Sequence, residues 1–211
     1  MSIFGALVIG SQVEQAVLDT LQLWFPTYLK EFELEAGLTT DKFSPPIIPL
    51  PKSYAKANQF QKASAENLPA IVCVSPGLSP RNKPRQEGDG SFRVFFSIGA
   101  GVFCGARDRK ATLDLVRVYT GIMRQILLQK EGLGNPPFAD GSSWMDERWD
   151  DNFDTVDNQT IASGVVTFEV EVAGVVSRFG GPSLPYPTAD MPGSNWPLVE
   201  EVDIEIVRKA G

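Results

Sequence analysis

The stretch 92–104 constrains the fold more than any other part of this chain, because it alternates without a break. Phe92, Val94, Phe96, Ile98, Ala100, Val102 and Cys104 fall on one face of an extended backbone. Arg93, Phe95, Ser97, Gly99, Gly101 and Phe103 fall on the other. A period of two is the mark of a β-strand that buries one face. Gly99 and Gly101 inside that strand predict a bend or a close approach by another backbone. Residues 160–176 repeat the pattern: Val166, Phe168, Val170 and Val172 alternate with Thr167, Glu169 and Glu171, one face dry and one wet. Three more strands are predicted. A buried run, Pro69-Ala70-Ile71-Val72-Cys73-Val74, ends at Pro76-Gly77. A short strand over 143–150 mixes aromatics with charges. A last strand over 199–207 sets Val202, Ile204 and Ile206 against Asp203 and Glu205.

Two segments carry the helical period instead. Val13, Val17, Leu18, Leu21, Phe25, Tyr28, Leu29 and Phe32 recur at three- and four-residue steps. Ser11-Gln12-Val13-Glu14 fits a capping box at its start, and Gly37 fits a left-handed cap at its end. Pro26 predicts a kink or break near Trp24 and Phe25, because it has no amide to bond back to Gln22. The second helix starts at Asp108 as N-cap, buries Leu113, Val116, Tyr119, Ile122, Met123, Ile126 and Leu127, and ends at Gly132. The expected fold is α+β: a mostly antiparallel sheet of about five strands with two helices packed on one face. We expect one domain over 1–211, with long Pro-rich arms at 38–69 and 180–197. An ordered arm at 38–69 would need something to hold it, and a neighbouring subunit is the candidate.

Histidine is absent from the chain. That removes Ser-His-Asp and Cys-His nucleophile systems, His-based acid–base chemistry and nearly all catalytic zinc sites. Carboxylates, Lys, Tyr, Cys73 and Cys104 remain for chemistry. Both cysteines sit in apolar strand-like runs and read as free buried thiols. No apolar run approaches the length of a membrane span. The first residues lack the basic start of a signal peptide, so none is expected. A formal net charge of −7 argues against a surface built to grip phosphates, while an acidic wall would let DNA slide past without sticking.

Four constellations could carry chemistry or contacts. Asp146, Glu147, Asp150, Asp151 and Asp154 could offer oxygen ligands to Ca²⁺ or Mg²⁺. They lack calcium-loop spacing and enclose Arg148, so a solvated strand end or subunit contact is preferred. Gly99-Ala100-Gly101 lies within a strand rather than at a strand-to-helix turn, which argues against a dinucleotide site. Arg81, Lys83, Arg85 and Arg93 form a basic patch that suits DNA, an acidic neighbour or plain solvent. Glu169 and Glu171, with Asp203 and Glu205, would repel if their strands were adjacent. Either those strands lie apart or a basic partner faces them. No catalytic, cofactor-binding or metal-ligating residue is assigned, and no cofactor is expected.

Several segments, taken in order, resemble the tail-terminator proteins of long-tailed phages that infect actinobacteria. They are Phe4-Gly5-Ala6-Leu7-Val8-Ile9-Gly10-Ser11-Gln12-Val13-Glu14, Leu68-Pro69-Ala70-Ile71-Val72-Cys73-Val74-Ser75-Pro76-Gly77 and Gly88-Asp89-Gly90. Further along come Ile126-Leu127-Leu128-Gln129, Trp144-Met145-Asp146-Glu147-Arg148-Trp149-Asp150 and Val175-Val176-Ser177-Arg178-Phe179-Gly180-Gly181-Pro182. None is a mechanistic motif, so the resemblance rests on their number and order. It implies a non-enzymatic virion protein at the head-proximal end of the tail, assembled in the host cytoplasm. Such a protein forms a ring, typically a hexamer, on the tail-tube protein, ends tube polymerisation and joins the tail to head-completion proteins. DNA passes through its lumen without specific binding, and no membrane is involved. A head–tail connector or stopper, another minor tail protein, a metal-dependent carboxylate enzyme and a host-binding adaptor are the competing readings.

Overall fold

The computed structural model describes residues 8–57, 65–88, 91–134, 138–156 and 159–175, with 65, 151–156 and 159 described by backbone alone. The elements run α1 (Gly10–Glu35), β1 (Ser53–Lys56), a short 3₁₀ turn (Ala65–Asn67), β2 (Ala70–Leu78), β3 (Arg85–Gln86), β4 (Phe92–Ala106), α2 (Arg109–Gln129), β5 (Gly141–Val156) and β6 (Gln159–Val172). Together they make an α+β fold with a six-stranded, mostly antiparallel sheet in the order β1-β2-β4-β6-β5, with β3 paired to the start of β4. Only β1 and β2 run parallel. The predicted strands at 69–74, 92–104, 143–150 and 160–176 are present as β2, β4, β5 and β6. The strand at 199–207 and the arm at 180–197 lie outside the described residues.

β4 and β6 form the centre. They pair from Val94 opposite Val172 to Ala106 opposite Thr160. Their even-numbered residues build the core: Val94, Phe96, Ile98, Ala100, Val102 and Cys104 from β4, and Ala162, Val166, Phe168, Val170 and Val172 from β6. Both helices cover this face with their own buried stripes, and all of these side chains join one cluster. β2 is longer than expected. It runs through Pro76 and Gly77 because a bulge between Val74 and Gly77 absorbs them, with Gly77 at φ 128° where a side chain would be strained.

The ends of the helices depart from the local signals. Asp108 caps α2 as predicted, accepting the Ala111 amide at 2.8 Å. The helix stops at Gln129, short of Gly132. There the Gly132 carbonyl is used instead to hold the turn, accepting the amides of Phe138 and Ala139. Helix α1 starts at Gly10, so Ser11 lies within the first turn rather than at the cap. The Gln12 side chain receives the Ile9 amide at 3.1 Å. Glu14 points into the sheet and accepts the Ser75 amide at 2.6 Å, a tertiary bond in place of the expected capping box. Pro26 neither breaks nor ends α1, which is continuous to Glu35. The carbonyl it orphans belongs to Gln22, which is exposed, so water can serve it. Meanwhile Leu21, Phe25 and Leu29 are fully buried on either side of Pro26 in the sequence and hold both halves in line. Gly37, at φ 69°, closes the helix as predicted, and Leu38 donates its amide back to the Glu33 carbonyl at 2.9 Å.

Bonds within the chain hold the segment after α1. Lys30 Nζ donates to Ser44 Oγ at 2.8 Å. The fully buried Glu33 accepts the Ile48 amide on Oε1 at 2.6 Å. The Tyr119 hydroxyl donates to the Pro49 carbonyl, and Ile48 and Tyr54 pack against the core. These bonds turn residues 38–51 into a strap that delivers the chain to β1.

Helix α2 lies close against the sheet at Gly164. A Cβ there would lie 2.7 Å from both Val116 Cγ1 and Thr120 Cγ2. Those methyls sit on β-branched side chains with little rotamer freedom. Gly164→Ala should therefore destabilise the protein by about 1–3 kcal/mol through overpacking, read as a lower urea midpoint with an unchanged slope.

Candidate functional site

The two faces of the sheet differ. One carries the helices. The other is bare of both α1 and α2; the segment 79–88 covers one end of it, and at the far end Leu68, Ala70 and Ile161 are buried with Phe103 packed against them. That segment is fastened from beneath. Glu169, only 7% exposed, receives the Ser79 hydroxyl on Oε1 and the Asn82 amide nitrogen on Oε2 at 2.7 Å. Arg93 bonds Glu87 at 2.6 Å and also pairs with Glu171. Arg85 lies over the Phe95 ring at 5.5 Å.

This changes the reading of two expected clusters. The basic patch is not a unit: Arg93 and Arg85 are engaged within the chain, while Arg81 and Lys83 face solvent. The acidic wet face of β6 is not one either. Glu169 is buried, and Glu171 is answered by Arg93 of the same chain. Asp203 and Glu205 lie outside the described residues. Sequence alternation put Glu169 and Glu171 on the correct face but could not show that residues about ninety positions away, such as Ser79, fold over them.

Beyond residues 79–88 the bare face dips into a groove of about 490 Å³. Its floor is Gly99 and Gly101, and its walls include Val72, Val74, Phe103 and Val165. The Gly-x-Gly pair thus sits mid-strand, as expected, and there it lowers the sheet surface rather than cradling phosphate.

The acidic cluster on β5 is divided by the sheet. Glu147 pairs opposite Val166 on the helix side, where its carboxylate meets Arg124 at 2.5 Å. Asp146 pairs opposite Thr167 on the bare side and bonds Arg148 Nε at 2.5 Å. That bond, with the Glu147 amide, holds the Asp146 carboxyl below its usual range. The side chains of Asp151 and Asp154 lie outside the described residues. Among the described residues, no group of three or more His, Cys, Asp or Glu side chains is placed to hold a metal ion. Opposite directions of adjacent side chains, together with Arg124 and Arg148, account for the split.

β5 itself is the surface that sequence reasoning underestimated. It is an outer strand of 16 residues, and among the described residues no strand pairs with its outer side. A bulge between Trp144 and Asp146 sets Trp144 on the same side as Glu147 and Trp149, facing α2. The two tryptophans are 47% and 46% exposed. Arg124 lies over the Trp144 ring at 5.3 Å and Arg117 over Trp149 at 5.9 Å. The Trp149 indole N–H donates to Thr120 Oγ1 at 3.0 Å. The Arg117–Arg124 spacing on α2 was the available signal, since residues two turns apart share a face.

At the opposite edge of the sheet the strap leads into β1. Phe43 is 96% exposed and Ile47 65%. The two cysteines are buried and free. Loss of water, and secondarily the charge of Glu14, pushes the Cys73 thiol up to about 12, and burial raises Cys104 as well. No family profile matches the chain, and no curated protein matches it either.

Two outcomes are expected. Glu169→Ala strands the Ser79 and Asn82 donors, costing about 1–3 kcal/mol and speeding hydrogen exchange in residues 79–88, with Glu169→Gln milder. Neither cysteine should react with a thiol reagent at pH 8 until the protein is unfolded, because the thiolate is the reactive form.

Proposed function

We propose that this chain is a structural virion protein that forms a ring on the end of a phage tail tube, stops tube growth and joins the tail to head-completion proteins. The observation that carries this reading is the pair of unlike, uncovered edges. One is the long outer strand β5 with its half-exposed tryptophans. The other is the strap edge with Phe43 and Ile47. A closed ring is built from head-to-tail contacts between two different patches on each copy, and exposed apolar groups at a sheet edge suit protein contact. The resemblance to tail terminators points the same way. In this reading the chain is not an enzyme, and its polar clusters serve packing: Arg124 with Glu147 and Arg93 with Glu171 fix strands rather than bind substrate.

Passage of DNA requires a lumen that repels phosphate. Glu169 and Glu171 are used within the chain, so that role falls to exposed carboxylates such as Asp19, Glu31 and Glu35 of α1. Imaging and native mass measurement of the protein, alone and mixed with tail-tube protein, test the proposal. A closed ring seated on tube ends is expected. A strict monomer in both conditions overturns it, and association with a portal-side component in place of the tube reassigns it to a head–tail connector.

A further inference from the structure

The outer side of β5 is the largest unpaired backbone edge among the described strands, and an open edge is a template for another strand. We propose that the segment 199–207 of a second copy of this chain adds to β5 as its outer neighbour, with Val202, Ile204 and Ile206 covering Trp144 and Trp149. This deepens the ring reading and rests on it only in requiring that copies meet.

Three observations carry it. The first is the pattern of the segment, Val199-Glu200-Glu201-Val202-Asp203-Ile204-Glu205-Ile206-Val207. Its alternation gives one apolar and one acidic face, and it would extend roughly 30 Å as a strand, well within the length of β5. The second is the surface it would meet. On the α2 side of β5 lie the two half-exposed indoles, which need apolar cover. On the bare side, where the acids at 201, 203 and 205 would face solvent, Arg148 is already bonded to Asp146.

The third is how the chain leaves β6. Asp140 donates its amide to the Glu171 carbonyl at 2.8 Å, and Ala173 donates to Asp140 Oδ2 at 2.6 Å. The exit therefore lies beside the start of β5. A strand returning to the outer side of β5 in its own chain would step past one strand, about 10 Å, which a loop of about 4–6 residues spans. The chain instead places residues 176–198 in between, including Pro182, Pro185, Pro187, Pro192 and Pro197. A connection of that length is free to reach a neighbour, which suits exchange of the strand between copies.

The test uses Trp24→Phe/Trp196→Phe protein, so that Trp144 and Trp149 are the reporters. It compares the full chain, a chain ending at residue 198 and full-length Ile204→Lys. Sedimentation gives assembly, and acrylamide quenching gives indole exposure. The full chain should assemble. Both altered forms should lose the assembled species and show quenching raised about twofold or more, since indoles left 46–47% exposed lose their strand cover. A synthetic 199–211 peptide should restore shielding to the shortened chain without restoring assembly. Assembly and shielding that survive both changes overturn the strand exchange and leave the ring reading standing. Shielded indoles in a full chain that sediments as a monomer mean the strand closes on its own chain, which also overturns the exchange. Exposed indoles in a full chain that never assembles, with tube protein present, overturn both readings.

Discussion

The layer between α2 and the β4–β6 pair is the contact on which the rest of the molecule depends. At Gly164 the helix comes so near the sheet that no side chain fits between them. That closeness lets Val116, Tyr119, Met123 and Ile126 reach the even-numbered face of both central strands. It also brings Thr120 to the Trp149 indole and Arg124 to Glu147, which sets how β5 presents its outer side. Tyr119 extends the same layer outward by donating to the Pro49 carbonyl. One closely packed seam thereby fixes the strap at one edge of the sheet and the tryptophans at the other.

Charge in this protein is spent mostly on fastening. Several ion pairs link separate elements: Arg93 ties β4 to β6 and to the turn after β3, and Arg124 ties α2 to β5. Pairs of this kind contribute modestly when exposed, but they fix register where a slip of one residue would turn the apolar face of a strand to water. Glu169 and Glu33 go further. Each is a buried carboxylate whose role is to receive donors from a distant loop. Such groups are costly to bury unless bonded, so the loops above them are held in one arrangement.

Much of the fold was legible in the sequence. The period-two runs placed β4 and β6 on their correct faces, and the apolar run at 69–74 located β2. The 3.6-residue stripes of α1 and α2 were correct almost residue by residue, and Asp108 and Gly37 were identified as caps. The strands β1 and β3 were not, because four and two residues carry no measurable period and exist only through their partners. The Pro26 break and the Ser11–Glu14 capping box failed for a shared reason. Both were local rules overridden by burial: of the apolar face flanking Pro26 in one case, and of Glu14 against the Ser75 amide in the other.

The sequence by itself determined the class of fold, the apolar face of each long element and, through the absence of histidine, which chemistries are closed to the chain. These follow from side-chain type and spacing along a local backbone. Tertiary structure alone decided which charges remain free, which edges stay open and what holds the strap. Each of those depends on groups far apart in the chain: Ser79 over Glu169, Tyr119 beneath Pro49, Arg117 and Arg124 beside the tryptophans of β5. No local period encodes such meetings, because they arise only when the sheet order places distant segments side by side.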